Sequence, residues 1–193
     1  MKYRIVNRIL RIIQWLRMSF YAALSTGLAK GDVDKIQPVL ILGAGVVEFE
    51  KDVTLGYYPS PFFLSGYIYL EARNKNASIK FGEFCQINNN FVAISEHKSI
   101  SIGKRCLIGT NVEIYDSDFH GINVANRRIS DPLNAKSVEI GNDVFIGSNV
   151  KVMKGVVIGA GSVIANGSIV VGVIPPGVIA GGNPARVLKA IEG

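Results

Sequence analysis

From residue 140 onward an aliphatic side chain returns every six positions, at Ile140, Ile146, Val152, Ile158, Ile164 and Val170. The following residue is small in most units (Gly141, Gly147, Gly159, Ala165). Four positions after the aliphatic stands a second modest side chain: Val144, Val150, Val156, Ser162 or Ser168. The same register runs through Ile102-Gly103, Ile108-Gly109 and Ile114, with Cys106 and Val112 in the fourth-after slot, and more loosely through Phe81, Ile87 and Ala93. A period of six is neither the ~3.6 of a helix nor the ~2 of a two-faced strand. It predicts a β-solenoid of short strands separated by corners, in which the aliphatic residue points inward and stacks on its equivalents in neighbouring coils. Three units close one triangular coil of about 18 residues. The small residue serves the corner, through a positive φ or through close backbone approach.

The register breaks once. After Ile114 the next unit is due at residue 120 but resumes only at Ile140, leaving an insertion over about 117–137. A solenoid has no structural need of such a loop, so the loop is expected to carry function. It holds Asp118-Phe119-His120-Gly121, Arg127-Arg128 and Asp131-Pro132. Residues 38–80 repeat poorly, and 57–63 read as a corner excursion.

Residues 3–24 show helical spacing. Arg4, Asn7, Arg8, Arg11 and Gln14 form one polar stripe, and Ile5, Ile9, Ile12, Ile13, Leu16 and Phe20 fall largely on the other side. Trp15 lies near the border and Arg17 interrupts the apolar face. The longest uncharged stretch, Met18 to Ala29, is well short of the ~20 residues a membrane-spanning helix needs. Arginines run through the segment and no A-x-A site follows, which argues against a signal peptide. Two readings stay open. The segment is a basic amphipathic helix lying on an anionic membrane through residues 1–30, or its apolar face packs on the body or on a neighbouring subunit. The expected organisation is a basic helical arm at 1–37 and a solenoid domain at 38–190.

With 48% hydrophobic and 19% charged residues, the 193-residue chain is not expected to be disordered. Its 21 glycines without a proline excess (7) fit many tight corners. The net charge of +6 is local. Lys2, Arg4, Arg8, Arg11, Arg17 and Lys30 all fall within positions 1–30, where no acid occurs, and the other 15 Lys+Arg balance 15 Asp+Glu. A nucleic-acid binder would spread basic charge over its folded face, so that partner class is set aside. Two cysteines and two histidines exclude a disulfide framework and argue against a multi-His metal cage. Cys85 and Cys106 each follow an inward residue by four. With a three-residue bulge between them they would stack in adjacent coils as buried thiols, in a reducing cytosol.

His120 is followed by Ile140-Gly141-Asn142-Asp143-Val144-Phe145-Ile146-Gly147-Ser148, and the chain ends with Ile174-Pro175-Pro176 and Gly182-Asn183-Pro184-Ala185-Arg186-Val187. With the repeat, these segments resemble the hexapeptide-repeat acyltransferases, and within them sugar O-acetyltransferases such as the galactoside and maltose acetyltransferases. That family has a catalytic histidine opening a loop at this place, then I-G-N-x-[WF]-I-G-S, then I-P-P-x-x-x-x-x-G-x-P-x-[KR]-[VI]. The resemblance spans roughly residues 38–190. It implies a left-handed parallel β-helix with an N-terminal amphipathic helix and an extruded active-site loop. It also implies a homotrimer with sites between subunits, acetyl-CoA as acetyl donor, a saccharide acceptor and no metal. The handedness comes from the resemblance alone, since ordinary parallel crossovers are right-handed.

The resemblance also carries roles. His120 is the expected general base, because imidazole titrates near neutral pH and suits proton removal from a hydroxyl attacking a thioester. Asn90, and with it Asn88, lies on the coil facing the acceptor. Asp116 or Asp118 is the candidate for orienting the imidazole, Asp116 counting also among the acceptor contacts. Glu96 falls near an acceptor-binding carboxylate, and His97 reads as a surface residue. For coenzyme A, Phe145 and Ser148 lie along the pantetheine arm, Asn166 takes a position usually filled by alanine, and Arg186 is near the nucleotide phosphates. Val171-Gly172 stands where the family often has Thr-Lys, so Lys151, Lys154 or Lys189 is left to supply the missing charge.

Related activities are separable. Zinc carbonic anhydrases of this superfamily need three His ligands, and this chain holds only His97 and His120, far apart in sequence. Serine acetyltransferases carry a longer helical N-terminal domain than this arm. A longer acyl chain, as in lipid A acyltransferases, is not excluded. The expected function is O-acetylation of a saccharide, with a surface-polysaccharide or lipid-linked precursor as acceptor, in the cytoplasm or peripherally at the inner face of its membrane. The alternatives are an N-acetyltransferase acting on an amino-sugar nucleotide and a catalytically inactive β-helix scaffold.

Overall fold

A computed structural model describes residues 2–192 and, within the first helix, side chains from Arg8 onward. Arg4, Ile5 and Asn7 of the expected stripes have side chains outside the described residues. Helix α1 spans Lys2–Leu24 and the chain then winds as short strands into three sheets of seven, eight and six strands. Every paired strand is parallel to its neighbour except the last pair, Val178–Gly182 with Ala185–Ala190, which is antiparallel. This is the left-handed parallel β-helix of hexapeptide-repeat proteins.

The pairing shows why six is the period. Phe145 lies beside Val163 and Ile146 beside Ile164, and Ser148 meets Asn166, a sequence separation of 18 in each case. One coil is therefore three units of six, and each sheet receives one strand per coil. Ile140, Ile146, Val152, Ile158, Ile164 and Val170 are all buried. Burying each such branched side chain stabilises the column by about 1.5–3 kcal/mol. Their strands are only two or three residues long, with the flanking residue facing out. Cys85 and Cys106 are buried free thiols stacked in adjacent coils, since Gln86 pairs with Leu107.

The small residue after each aliphatic is there for close approach. A Cβ on Gly159 would lie 2.3 Å from the backbone nitrogen of Pro176, and one on Gly147 would lie 2.3 Å from the Asn166 side-chain oxygen. Left-handed backbone falls two residues later, at Gly161 and Gly167 (φ 69 and 71) and at Asn149 (φ 60). Gly159→Ala is therefore expected to cost about 1–3 kcal/mol, visible as a lowered thermal midpoint. An unchanged midpoint would show that the coils do not touch there.

Two ends differ from the sequence expectation. The sheets begin at Leu28–Lys30 and Val33–Lys35, about one coil side before residue 38, and among these residues only Val33 packs against the core. With a single inward apolar side chain in this stretch, no period is visible there. At the far end, the antiparallel strand Ala185–Ala190 closes the column.

The arm is a helix, but it docks by an unexpected face. Gln14 is buried, its Nε2 donating to the Ile36 carbonyl at 2.9 Å. Arg17 donates to the Gln14 Oε1 and to the carbonyls of Phe63 and Gly66. Tyr21 stacks on Tyr67 at 4.6 Å. The Arg17 that breaks the apolar stripe marks the face that meets the body, and Ile9, Ile12, Ile13, Leu16 and Phe20 point away from it.

Candidate active site

The insertion lies where the broken register put it. Ile100 pairs with Val138, and Lys104 in the same coil meets Asn142, a sequence separation of 38 where an uninterrupted coil gives 18. The loop leaves after strand Glu113–Tyr115, makes two short 3-10 turns at Val124–Asn126 and Pro132–Asn134, and rejoins at Val138–Ile140.

Its root is rigid and its tip is open. Asp116 is fully buried, and its carboxylate accepts from the backbone N–H groups of Glu96 (2.7 Å), His97 (3.0 Å) and Lys98 (2.7 Å) and from the Ser95 hydroxyl (3.1 Å). Those contacts form the three-residue bulge at the corner of the coil below. Glu96, also buried, accepts from Ser117 Oγ at 2.7 Å and from Ser130 Oγ at 2.5 Å, one on each limb of the loop. Its other oxygen is held by Arg73 at 3.0 Å, and the Arg73 guanidinium also lies over the Phe119 ring at 5.0 Å. Burial alone would raise the Glu96 carboxyl, but hydrogen bonds from Ser130, Ser117 and Arg73 outweigh it and hold the group below the usual carboxylate range. A depressed folded value means the tie holds above the ordinary carboxylate pKa and is lost as pH falls through the folded value. Amide protection across 117–137, taken relative to the intrinsic exchange rate at each pH, should therefore fall in acid and be flat near neutrality. Equal exchange in Glu96→Gln and the parent at neutral pH would remove the tie.

His120 follows Phe119, which is pinned between Arg73 and Tyr115 (5.6 Å). Its ring is exposed, and Nδ1 lies 3.1 Å from the Arg127 carbonyl. A carbonyl only accepts, so in the neutral ring this contact places the proton on Nδ1 and leaves Nε2 as the acceptor nitrogen. The imidazole partner is thus a loop carbonyl. Asp118 pairs instead with Lys154, and Asp116 is consumed by the corner below. Arg127 had no signal in the sequence, because a backbone acceptor leaves no residue-type signature.

The remaining candidates fall into separate groups. Asn88 and Phe145 line one cleft of about 530 Å³ on the outer face of the second sheet, with Tyr57, Gln86 and Leu107. His120 is not among the residues lining it. Ser148 and Asn166 meet at one corner, where the Asn166 oxygen accepts from the Ser148 N–H at 2.8 Å and the Ser148 hydroxyl bonds Thr110. Asn90 sits in a ladder of stacked corner amides, donating to Asn111, which donates to Asn149. Between Asn88 and Asn90, the fully buried Asn89 holds the 57–61 excursion through Tyr57 and Pro61. Arg186 lies exposed on the closing strand. His97, expected at the surface, is partly covered, with Nδ1 3.2 Å from the Asn74 amide. Among the described residues no group of three or more His, Cys, Asp or Glu is placed to hold a metal ion.

Comparison with known proteins agrees with the coiled fold. Residues 137–172 match the family model of the bacterial transferase hexapeptide (six repeats), and 99–127 match the hexapeptide repeat of succinyl-transferase. Over 117 residues the chain is 37% identical to the galactoside O-acetyltransferase of Escherichia coli, covering 58% of this chain and 57% of that one. The crystal structure of the polySia-specific acetyltransferase NeuO superposes with a TM-score of 0.66 at 30% identity, over 84% of this chain and 65% of that one. A galactoside acetyltransferase in complex with coenzyme A superposes at 0.54 with 28% identity, over 83% and 64%. The chain spans less than two thirds of the length of the curated relatives it matches. In its three-sided column of six-residue turns the chain is similar to the hexapeptide-repeat acetyltransferases that these repeats and structures represent.

Proposed function

We propose that the protein is an acetyl-CoA-dependent O-acetyltransferase acting on a saccharide hydroxyl, with His120 as general base. The observation that carries this reading is the His120 ring itself, held through Nδ1 by a carbonyl with Nε2 open, on a loop whose two limbs are tied to one buried carboxylate. The relatives named galactoside and polySia acetyltransferases support the saccharide class. The neighbour crystallised with coenzyme A supports the donor.

The step needs no covalent enzyme intermediate. The acceptor oxygen attacks the thioester carbonyl as Nε2 takes its proton, a C–O bond forms, the C–S bond breaks, and the proton passes to the departing thiolate. Negative charge on the carbonyl oxygen needs a donor, for which the backbone N–H groups of the corners are suited. Phe145 on its open cleft suits the apolar pantetheine arm, with Ser148 and Asn166 at the adjoining corner and Arg186 for the phosphates. Asn88, in the same cleft as Phe145, is proposed on the acceptor side with Asn90. Glu96 and Asp116 act as positioning residues, since their oxygens are already committed within the chain. Because His120 and the cleft do not meet in one chain, the complete site is proposed between subunits of a trimer. The acceptor is proposed as a surface-polysaccharide or lipid-linked precursor, met on the cytoplasmic side where acetyl-CoA is available.

Thiol release from acetyl-CoA against a panel of neutral sugars, oligosaccharides and amino sugars tests the reading. Acceptor-dependent release with a neutral saccharide, abolished in His120→Ala, is expected. Release only with amino sugars would make it an N-acetyltransferase, and none with any acceptor would leave a scaffold.

A further inference from the structure

The exposed face of α1 is a feature that the chemistry above does not use. Gln14 and Arg17 fix the rotation of the helix through the carbonyls of Ile36, Phe63 and Gly66. That rotation turns Ile9 (50% exposed), Ile12 (52%), Leu16 (54%) and Phe20 (59%) outward. Turning them inward would break the Gln14 and Arg17 bonds, so whatever covers this face comes from outside the chain.

We infer that α1 is a peripheral docking surface for an anionic lipid bilayer. Arg8, Arg11 and the 65% exposed Trp15 form a stripe beside the apolar face, at spacings of three and four. Positions 1–30 hold six basic residues and no acid, whereas the rest of the chain is neutral by formal charge. Arg17 is committed to the body and Lys30 lies 3.6 Å from Glu48, so Arg8 and Arg11 are the described cations of this face. That combination is what an interfacial helix requires: aliphatic and aromatic side chains entering the acyl boundary, and arginines reaching the lipid phosphates. No helix among the described residues is long and apolar enough to cross a membrane, so the contact is in the plane of the surface.

A second copy of the chain fits this face less well. A covering protein surface would have to supply acids opposite the arginine stripe. The highly exposed apolar side chains Ile122, Val124 and Leu133 on the loop lie in sequence beside Arg127-Arg128, with Asp131 as the nearby acid. Like charges would then oppose each other. The helix packs on the first coils, so the bilayer would lie at that end of the column. The inference is independent of the acetyl-transfer reading and survives its failure.

The test is co-sedimentation of the full chain with vesicles of equal phosphatidylglycerol and phosphatidylcholine, and with phosphatidylcholine alone. The parent should bind the anionic vesicles, release from them as salt rises, and bind the neutral ones weakly. Arg8→Gln with Arg11→Gln should weaken binding about 30-fold. Ile12→Asp with Leu16→Asp should abolish it, and because both sites are exposed the thermal midpoint should not move. Absent binding by the parent, equal binding to neutral vesicles, or undiminished binding by the Asp variant would each overturn the inference. A fall in oligomer size in the Asp variant, with no vesicle binding by the parent, would assign the face to a second copy.

Discussion

Replacing His120 with alanine is expected to lower turnover by about 10²–10⁴-fold and to leave coenzyme A affinity within a factor of about two. The separation follows from geometry. The exposed ring is hydrogen-bonded through Nδ1 to the Arg127 carbonyl and does not line the cleft of Asn88 and Phe145, so its loss removes a proton acceptor without disturbing that cleft. A His120→Asn variant sharpens the result, because it retains a polar side chain but no group that titrates near neutrality. Turnover like that of the parent in either variant would remove the proposed base. A parallel loss of cofactor affinity would instead mean that the ring packs against the donor.

Replacing Asp116 with alanine is expected to have the largest effect on stability, about 3 kcal/mol or more. Four donors converge on its carboxylate in a fully buried corner, and alanine leaves the N–H groups of Glu96, His97 and Lys98 without their acceptor. For a chain of this size the loss corresponds to a fall of roughly 6–12 °C in thermal midpoint. Turnover should fall as well, because the same corner carries Glu96 and therefore both limbs of the His120 loop. Asp116→Asn should be milder, keeping one acceptor oxygen. A midpoint within about 1 °C of the parent would show that water replaces the carboxylate without cost.

The column was legible in the sequence because its core contacts repeat at a fixed spacing. One aliphatic in every six positions is enough to place Ile140 to Val170 inward, and the skipped register after Ile114 placed the loop. Where the solenoid departs from its period, the signal vanished. The capping strands at 28–35 have almost no inward apolar residue, and the antiparallel strand Ala185–Ala190 belongs to no coil. Helix α1 was legible as amphipathic, but a helical pattern does not say which face docks. Arg17 read as a flaw and is the anchor. At the site, residue types pointed to His120, while its neighbours were set by burial. Asp116 and Glu96 look like any acids beside a histidine, and only the fold shows their oxygens already committed. Arg73, Ser130 and Asn89, which brace the loop and the 57–61 excursion, left no trace, because their partners are distant in sequence.

The most direct test is a crystal structure of the oligomer with coenzyme A and a saccharide acceptor bound. An acceptor hydroxyl within about 3 Å of His120 Nε2, facing the thiol of a coenzyme seated along Phe145 of an adjoining subunit, is the predicted result. A pantetheine sulfur remote from every His120 ring would contradict the proposed chemistry while leaving the column intact.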